Sequence, residues 1–296
     1  MGIDLVRDPG GDTGAHCTRA PAFVIRTGQH LGTICQQVAL APVDCRVLLM
    51  HALHLTRVQL ITQSERTLSA EEAQQLSAVF QRRIEGEPVA YIVGEREFFG
   101  LAFHVTPAVL IPRPDTELLV ELALAQAPHQ ARLLDLGTGS GAIAVAIAHQ
   151  RPDLKVTALD VSRAALEVAA ANAVRHGTAV ELLHSDWYST LGTRRFDLIV
   201  ANPPYIVADD IHLSQGDLRF EPVDALTDHG DGLGDLRRII AGALGTLEAG
   251  GWLLMEHGYD QAVAVRTLLG AHGFGDVQSW RDLSGIERVS GGTLSA

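Results

Sequence analysis

From residue 132 to residue 292 the chain alternates short apolar runs with longer amphipathic ones, and this alternation restricts the fold more than any other feature. The strand-like runs are 132–136, 155–159, 180–184, 196–201, 251–256, 274–280 and 287–292. Helical runs at 142–150, 162–176, 233–247 and 260–272 follow most of them. Strands separated by helices of this length build βαβ units around a mostly parallel sheet. The last two strands have no helix between them, which predicts antiparallel pairing at an edge. The expectation is an α/β fold with a seven-strand, doubly wound, Rossmann-like sheet.

Upstream the pattern changes. Within residues 22–86 the apolar positions follow helical spacing, as in Leu76, Val79, Phe80 and Ile84. A helical-bundle domain of three to five helices is expected there. Residues 87–114 carry Gly and Pro punctuation between short β-rich pieces such as Glu97-Phe98-Phe99-Gly100, and read as a hairpin-like linker. In Ile111-Pro112-Arg113-Pro114-Asp115-Thr116-Glu117 the residues before proline are pushed toward extended geometry. Asp115, Thr116 and Glu117 then supply a cap and negative charge to a helix N-terminus, opening a domain over 115–296.

Residues 1–21 are polar and Gly-rich, lack the apolar core of a signal peptide, and read as a flexible extension. With 47% hydrophobic residues the chain has ample apolar side chains for a core, and no apolar run is long enough to span a bilayer. A cytosolic monomer without membrane contact is expected. Cys17, Cys35 and Cys45 are odd in number and lack metal-type spacing, so they read as ordinary thiols. The net charge of −12, with Lys155 the only lysine, argues against a nucleic-acid partner, which a basic field would serve better.

Leu133-Leu134-Asp135-Leu136-Gly137-Thr138-Gly139-Ser140-Gly141-Ala142 is a buried strand, a Gly-rich turn and a helix start. Glycines there let a ligand approach the main chain closely. Asp160, nineteen residues after Gly141, ends the next strand, where a carboxylate can accept from both ribose hydroxyls of an adenosine. Gly137-x-Gly139-x-x-Ala142 also fits the dinucleotide fingerprint. Two features tilt the choice to S-adenosylmethionine. Asp135 could face a ligand ammonium but would repel a pyrophosphate. Asp186 and Trp187, after the third strand, offer a carboxylate and an aromatic face to an adenine, although Trp187 reads equally well as a packing aromatic. The loop residues Gly137, Thr138, Gly139, Ser140 and Gly141 complete the expected cofactor site, with Asn202 at its far end.

Phe196-Asp197-Leu198-Ile199-Val200-Ala201 is a strand that stops at Asn202-Pro203-Pro204-Tyr205, because proline has no N–H for a ladder. The carboxyl end of such a strand is where open α/β sheets bind ligands. Asn-Pro-Pro-Tyr alone would pass for a stiff loop; with a cofactor loop upstream it reads as a substrate site.

Together these motifs resemble the S-adenosylmethionine methyltransferases that act on planar, amide-like nitrogens. More narrowly, the chain resembles the PrmC/HemK family, the protein-(glutamine-N5) methyltransferases of peptide chain release factors. The narrower resemblance rests on Arg82-Arg83-Ile84-x-Gly86-Glu87-Pro88-Val89-Ala90-Tyr91-Ile92, Leu110-Ile111-Pro112-Arg113-Pro114-Asp115-Thr116-Glu117, Glu221-Pro222, Gly230-Asp231-Gly232-Leu233 and Glu256-His257-Gly258. It implies a methyltransferase sheet, and as substrate the glutamine of the Gly-Gly-Gln loop of class I release factors. It also implies that residues 22–86 dock that partner. Asn202, Pro203, Pro204 and Tyr205 would hold the glutamine, with Asn202, Pro203 and Tyr205 catalytic and no metal required. The Asn202 side-chain carbonyl and the Pro203 main-chain carbonyl would accept the two amide hydrogens. His184 and His257 are expected to be structural. An alternative substrate is an exocyclic amino group of a nucleic acid base, which poses the same problem of a delocalised lone pair. An NAD(P)-linked dehydrogenase would leave Asn-Pro-Pro-Tyr without a role, and a pure adaptor would need neither it nor the Gly loop.

Overall fold

The computed structural model describes residues 23–295, so the expected extension over 1–21 lies outside the described residues. The chain divides into two compact units, one ending at Gln81 and one beginning at Arg82.

The first unit is helical. Its helices are α1 (Ile34–Gln37), α2 (Pro42–Leu53), α3 (Arg57–Thr62) and α4 (Ala70–Ile84), the last running a few residues past the boundary. Pro42 presets the first turn of α2, and His54 in the left-handed region ends it. A reciprocal Thr56–Gln59 capping box starts α3. In α4 the buried stripe is Ala73, Leu76 and Phe80, while Val79 is half-buried and Ile84 is exposed. Cys35 and Cys45 form a disulfide, contrary to the expectation of free thiols. The reason is local: α1 and the first turn of α2 bring the two Cα atoms to 5.7 Å, inside the bonding range, and Cys45 is fully buried.

The second unit opens with α5 (Val89–Val93) and a hairpin, β1 (Glu95–Phe98) and β2 (Leu101–His104). Residues 87–114, expected as a hairpin-like linker, contain this hairpin but begin with a helix. Pro88 ahead of it and the left-handed Gly94 behind it impose one helical turn. Then follow α6 (Glu117–Gln126), β3 (Arg132–Leu136), α7 (Ala142–Gln150), β4 (Lys155–Asp160), α8 (Arg163–Arg175), β5 (Val180–His184) and β6 (Phe196–Ala201). The chain ends with α9 (Gly234–Ala243), β7 (Leu247–Glu256), α10 (Ala262–Ala271), β8 (Phe274–Arg281) and β9 (Glu287–Leu294).

The seven strands β3 to β9 form one sheet in the order β5-β4-β3-β6-β7-β9-β8. The first five of these are parallel, and β9 runs antiparallel between β7 and β8. Side-chain alternation divides the core into two layers. Leu133, Leu198 and Val200 pack against α6 and α7, whereas Leu134, Leu136, Ile199 and Ala201 pack against α9 and α10. The strand order reverses between β3 and β6, and such a switch point opens a crevice at the carboxyl ends.

Candidate active site

Strand register decides which residues reach that crevice. Leu136 is paired with Leu159 on one side and Ala201 on the other. Gly137, Asp160 and Asn202 therefore emerge side by side, Asp160 as the last residue of β4 and the other two one step beyond the ends of β3 and β6. Asp160 is in turn level with His184, which delivers Ser185, Asp186 and Trp187 to the same rim.

A cavity of about 330 Å³ fills the crevice; Gly137, Gly139, Asp160, Asp186, Trp187 and Asn202 are among its walls. Pro204 also lines it. A second, smaller cavity of about 110 Å³ is lined by Arg113, Asn202, Pro203, Tyr205 and Leu218 among others. Asn202 lines both, as do Leu110 and Ala225.

The Gly loop has two kinds of residue. Gly137 and Gly139 face the large cavity with positive φ, and a Cβ on Gly137 would stand 3.6 Å from the Trp187 ring. Gly141, at φ +80°, caps α7 and packs against Ala169. Thr138, Ser140 and Gly141 are not among the walls, contrary to the expectation that the whole loop touches the ligand. Ser140 is instead tied down through its carbonyl, which accepts from Asn172 Nδ2 at 2.8 Å. The same buried Asn172 exchanges two hydrogen bonds with His104 of the hairpin. A lone Asn among alanines on the inner face of α8 was the one sequence signal for this role.

Asp160 accepts from the Gly139 N–H and the Ser162 N–H, each at 2.8 Å, and burial pushes its carboxyl up from the ordinary range. Each oxygen keeps acceptor capacity toward the cavity. Asp186 is paired with Arg238 at 2.9 Å, and the Arg238 guanidinium lies 6.0 Å from the centre of the Trp187 ring. Arg238 and Asp235 line the cavity too, and neither is anticipated from the sequence.

Asp135 does not reach the cavity, which corrects its expected role as a partner for a ligand ammonium. Alternation along β3 turns it, like Leu133, toward the helices α6 and α7. It is fully buried, accepts from the Thr138 hydroxyl at 2.6 Å and faces the Ala144 N–H of the first turn of α7. Burial pushes its carboxyl up to about 7. Its function is to anchor the loop from beneath.

Past β6, Asn202 donates through Nδ2 to Thr116 Oγ1 at 3.2 Å. Among the described residues, none donates to Asn202 Oδ1 or to the Pro203 carbonyl. Thr116 lies in the turn before α6 and makes no side-chain cap there, unlike the capping role expected for it. Glu117 supplies the expected negative charge in the first turn of α6 and accepts from the Phe99 N–H. Arg113 pairs with the buried Glu221, which also accepts from the Ile111 N–H at 2.9 Å, so the Ile111–Glu117 segment is fastened to Glu221-Pro222.

Tyr205 donates to Glu256 Oε1 at 3.1 Å, and its carbonyl accepts from Gln261 Nε2 at 3.0 Å. Burial, with Glu256 adding to it, pushes the phenol well above its ordinary range. Gln261 also holds the Gly232 carbonyl and the Gly258 N–H, joining two of the motifs to Tyr205. His257 is buried between the Gly258 carbonyl and Ser290, and His184 contacts the Val161 carbonyl; both sit outside the two cavities.

Comparison with known proteins identifies the family and the fold. Residues 34–94 match the PrmC N-terminal domain and residues 114–221 the methyltransferase small domain. A release factor glutamine methyltransferase of Burkholderia pseudomallei is 55% identical over 260 residues, covering 85% of this chain and 91% of the relative. The release factor glutamine methyltransferase of Escherichia coli is 46% identical over 249 residues, covering 83% and 90%. A methyltransferase crystal structure from Pyrococcus furiosus aligns with TM-score 0.53 at 19% identity, covering 73% of this chain and 97% of that one, and so shares the fold.

Proposed function

This chain belongs to the release factor glutamine methyltransferase family, and from that membership we propose that its two adjoining cavities bring a methyl donor and a glutamine side chain together at Asn202. It transfers a methyl group from S-adenosylmethionine to the side-chain amide nitrogen of the glutamine in the Gly-Gly-Gln motif of class I release factors. The observation that carries the reading is that Asn202 walls both cavities while its Oδ1 and the Pro203 carbonyl accept from no described donor.

The large cavity suits an adenosine with a charged tail. Its volume is at the lower end for a small-molecule site. The bare main chain at Gly137 and Gly139 admits close approach, Asp160 offers two carboxylate oxygens to ribose hydroxyls, and Trp187 offers an aromatic face. Gly137, Gly139, Asp160, Asp186, Trp187 and Asn202 would hold the cofactor; Thr138, Ser140 and Gly141 shape the loop. When bound, S-adenosylmethionine supplies an electrophilic methyl on a positively charged sulfur.

The protein's task is to make an amide nitrogen attack. A primary amide is a weak nucleophile because its lone pair is delocalised into the carbonyl. Asn202 Oδ1 and the Pro203 carbonyl accept its two N–H hydrogens, which draws density onto nitrogen and sets its orientation. The Pro203 ring fixes φ and keeps that carbonyl rigid. Pro204 and Tyr205 close the motif, and the Tyr205 ring lies against the planar amide and excludes water. The step is an in-line displacement governed by placement: the N–CH3 bond forms as the S–CH3 bond breaks, the neutral thioether departs, and the methylated nitrogen then loses one N–H proton to water; alignment can supply about 7–11 kcal/mol.

Incubation of the protein with labelled S-adenosylmethionine and, separately, a release factor, DNA or RNA tests the substrate class. One added methyl on the Gly-Gly-Gln glutamine by mass spectrometry is the expected result; label in a nucleic acid and none in the factor would favour a base amino group instead. Asn202→Ala is expected to lower kcat by about 10²–10³ with cofactor affinity within a few-fold. Turnover near the wild-type rate would remove Asn202 from the mechanism.

A further inference from the structure

Glu256 ends β7 beside the transfer site, is almost fully buried, and takes no part in the mechanism above. Its Oε1 accepts from the Tyr205 hydroxyl, while Oε2 accepts from no described group. The Thr116 hydroxyl stands close enough to favour the ionised carboxylate, although not in good hydrogen-bond geometry with it. Thr116 is also the acceptor for Asn202 Nδ2. Glu256 thus holds one end of Asn202-Pro203-Pro204-Tyr205 directly, through the Tyr205 hydroxyl, and neighbours the Thr116 hydroxyl to which the other end is bonded. An apolar side chain at this position would be cheaper to bury than a carboxylate with a free oxygen.

We propose that Glu256 is a positioning residue for methyl transfer, fixing through the Thr116 and Tyr205 hydroxyls which atoms Asn202 and Tyr205 present to the small cavity. The inference rests on the transfer site described above. A hydroxyl has one proton to give and two lone pairs to offer. Beside a carboxylate, Thr116 turns its proton toward Glu256 and offers only lone pairs to Asn202. Asn202 must then point its NH2 at Thr116, which leaves Oδ1 for the substrate amide. If Glu256 is protonated it becomes a donor itself. Thr116 can then accept from it and donate to Asn202, and the amide is free to turn over. The cavity would face an NH2 group where the substrate needs an acceptor.

Several other groups bear on the carboxyl. Asp115, in the turn before α6, raises its proton affinity, and Arg288 on β9 lowers it; Arg288 is itself paired with Asp282 at 3.1 Å and lies 3.7 Å from Asp115. The Arg113 charge, also on the wall of the small cavity, favours the ionised Tyr205, and burial lowers the proton affinity of the neighbouring His257. Burial outweighs the rest and puts the Glu256 carboxyl at about 7. The active form is the ionised one, so activity should fall as pH drops through that value.

The test is kcat against pH for the full chain with an intact release factor, alongside S-adenosylmethionine affinity by calorimetry. Wild type is expected to show kcat rising through about pH 7. Glu256→Gln is expected to bind the cofactor within about twofold of wild type, to lose about tenfold or more in kcat, and to lose that rise. A Glu256→Gln enzyme that keeps the acid limb, or that turns over at the wild-type rate, would overturn the proposal. Should Glu256→Gln fail to fold, Thr116→Val and Thr116→Ser decide it: the valine variant should lose kcat at unchanged cofactor affinity, and the serine variant should recover to within about threefold. A valine variant at full rate also overturns it. Absence of methylglutamine with wild type would instead reject the substrate, which keeps the two failures apart.

Discussion

Asp135 and Asp160 both lie at the carboxyl ends of neighbouring strands of the central sheet, yet one residue of register gives them different work. The pattern of acidic residues after apolar runs makes both legible as ligand groups, and only the pleat tells them apart. Asp160, at the last position of β4, lines the large cavity; Asp135, one residue inside β3, points under the loop. Losing a charged acceptor of two ribose hydroxyls costs about 1.5–3 kcal/mol, so Asp160→Ala is expected to weaken S-adenosylmethionine binding by roughly ten- to a hundredfold in calorimetry. Unchanged affinity would end the ribose assignment. Asp135 predicts a stability effect instead. Its folded pKa, about 7, is above the ordinary 3.8, so the native state binds more protons than the unfolded chain between those values. Stability from this group is full below the lower value and is lost as pH rises toward the upper one. Urea midpoints should therefore fall from about pH 5 to about pH 8, and Asp135→Asn should fall less steeply. An equal slope in both proteins would show that the carboxyl titrates normally.

The strands and helices themselves are readable because burial on both faces leaves near-continuous apolar runs, and register then carries Gly137, Asp160 and Asn202 to one rim without further instruction. The chain between β6 and α9 is different. It is built from short 3-10 turns at 211–214, 218–220 and 223–225, which have no periodicity to read. Beyond Asn202-Pro203-Pro204-Tyr205 and Glu221-Pro222, glycine chemistry marks it. Gly232 has φ +74°, and a Cβ there would stand 2.4 Å from the Tyr205 carbonyl oxygen and 2.8 Å from Gln261 Nε2. The side chain of Asp228 folds this loop by accepting from the N–H groups of Gly230, Gly232 and Gly234. The loop is a buttress that presses on the last residue of Asn-Pro-Pro-Tyr. Gly232→Ala adds about 1–3 kcal/mol of backbone strain and drives Tyr205 off its position. The variant should melt at a lower temperature and lose kcat by more than it loses cofactor affinity. Parallel losses in both would mean that the buttress supports the whole crevice and not the substrate side.

The second unit holds both cavities and every residue assigned to cofactor or substrate, and its two core layers are closed by its own helices. The helical unit contributes to none of these walls. Its periodicity is enough to identify helices but not a purpose, since a helical stripe such as Ala73, Leu76 and Phe80 describes how a unit packs and says nothing about what it meets. The docking role that the family resemblance implies for residues 22–86 makes a prediction that separates recognition from chemistry. A protein starting at Arg82 should bind S-adenosylmethionine within about threefold of the full chain and methylate a short Gly-Gly-Gln peptide at a comparable kcat, because the clamp on the amide is intact. With an intact release factor as substrate its KM should rise by about tenfold or more, the loss of roughly 1.4 kcal/mol or more of binding made away from the reacting atoms. A truncated protein that still folds, binds cofactor and handles the intact factor with unchanged KM would show that the factor is recognised at the crevice alone, and the helical unit would need another explanation.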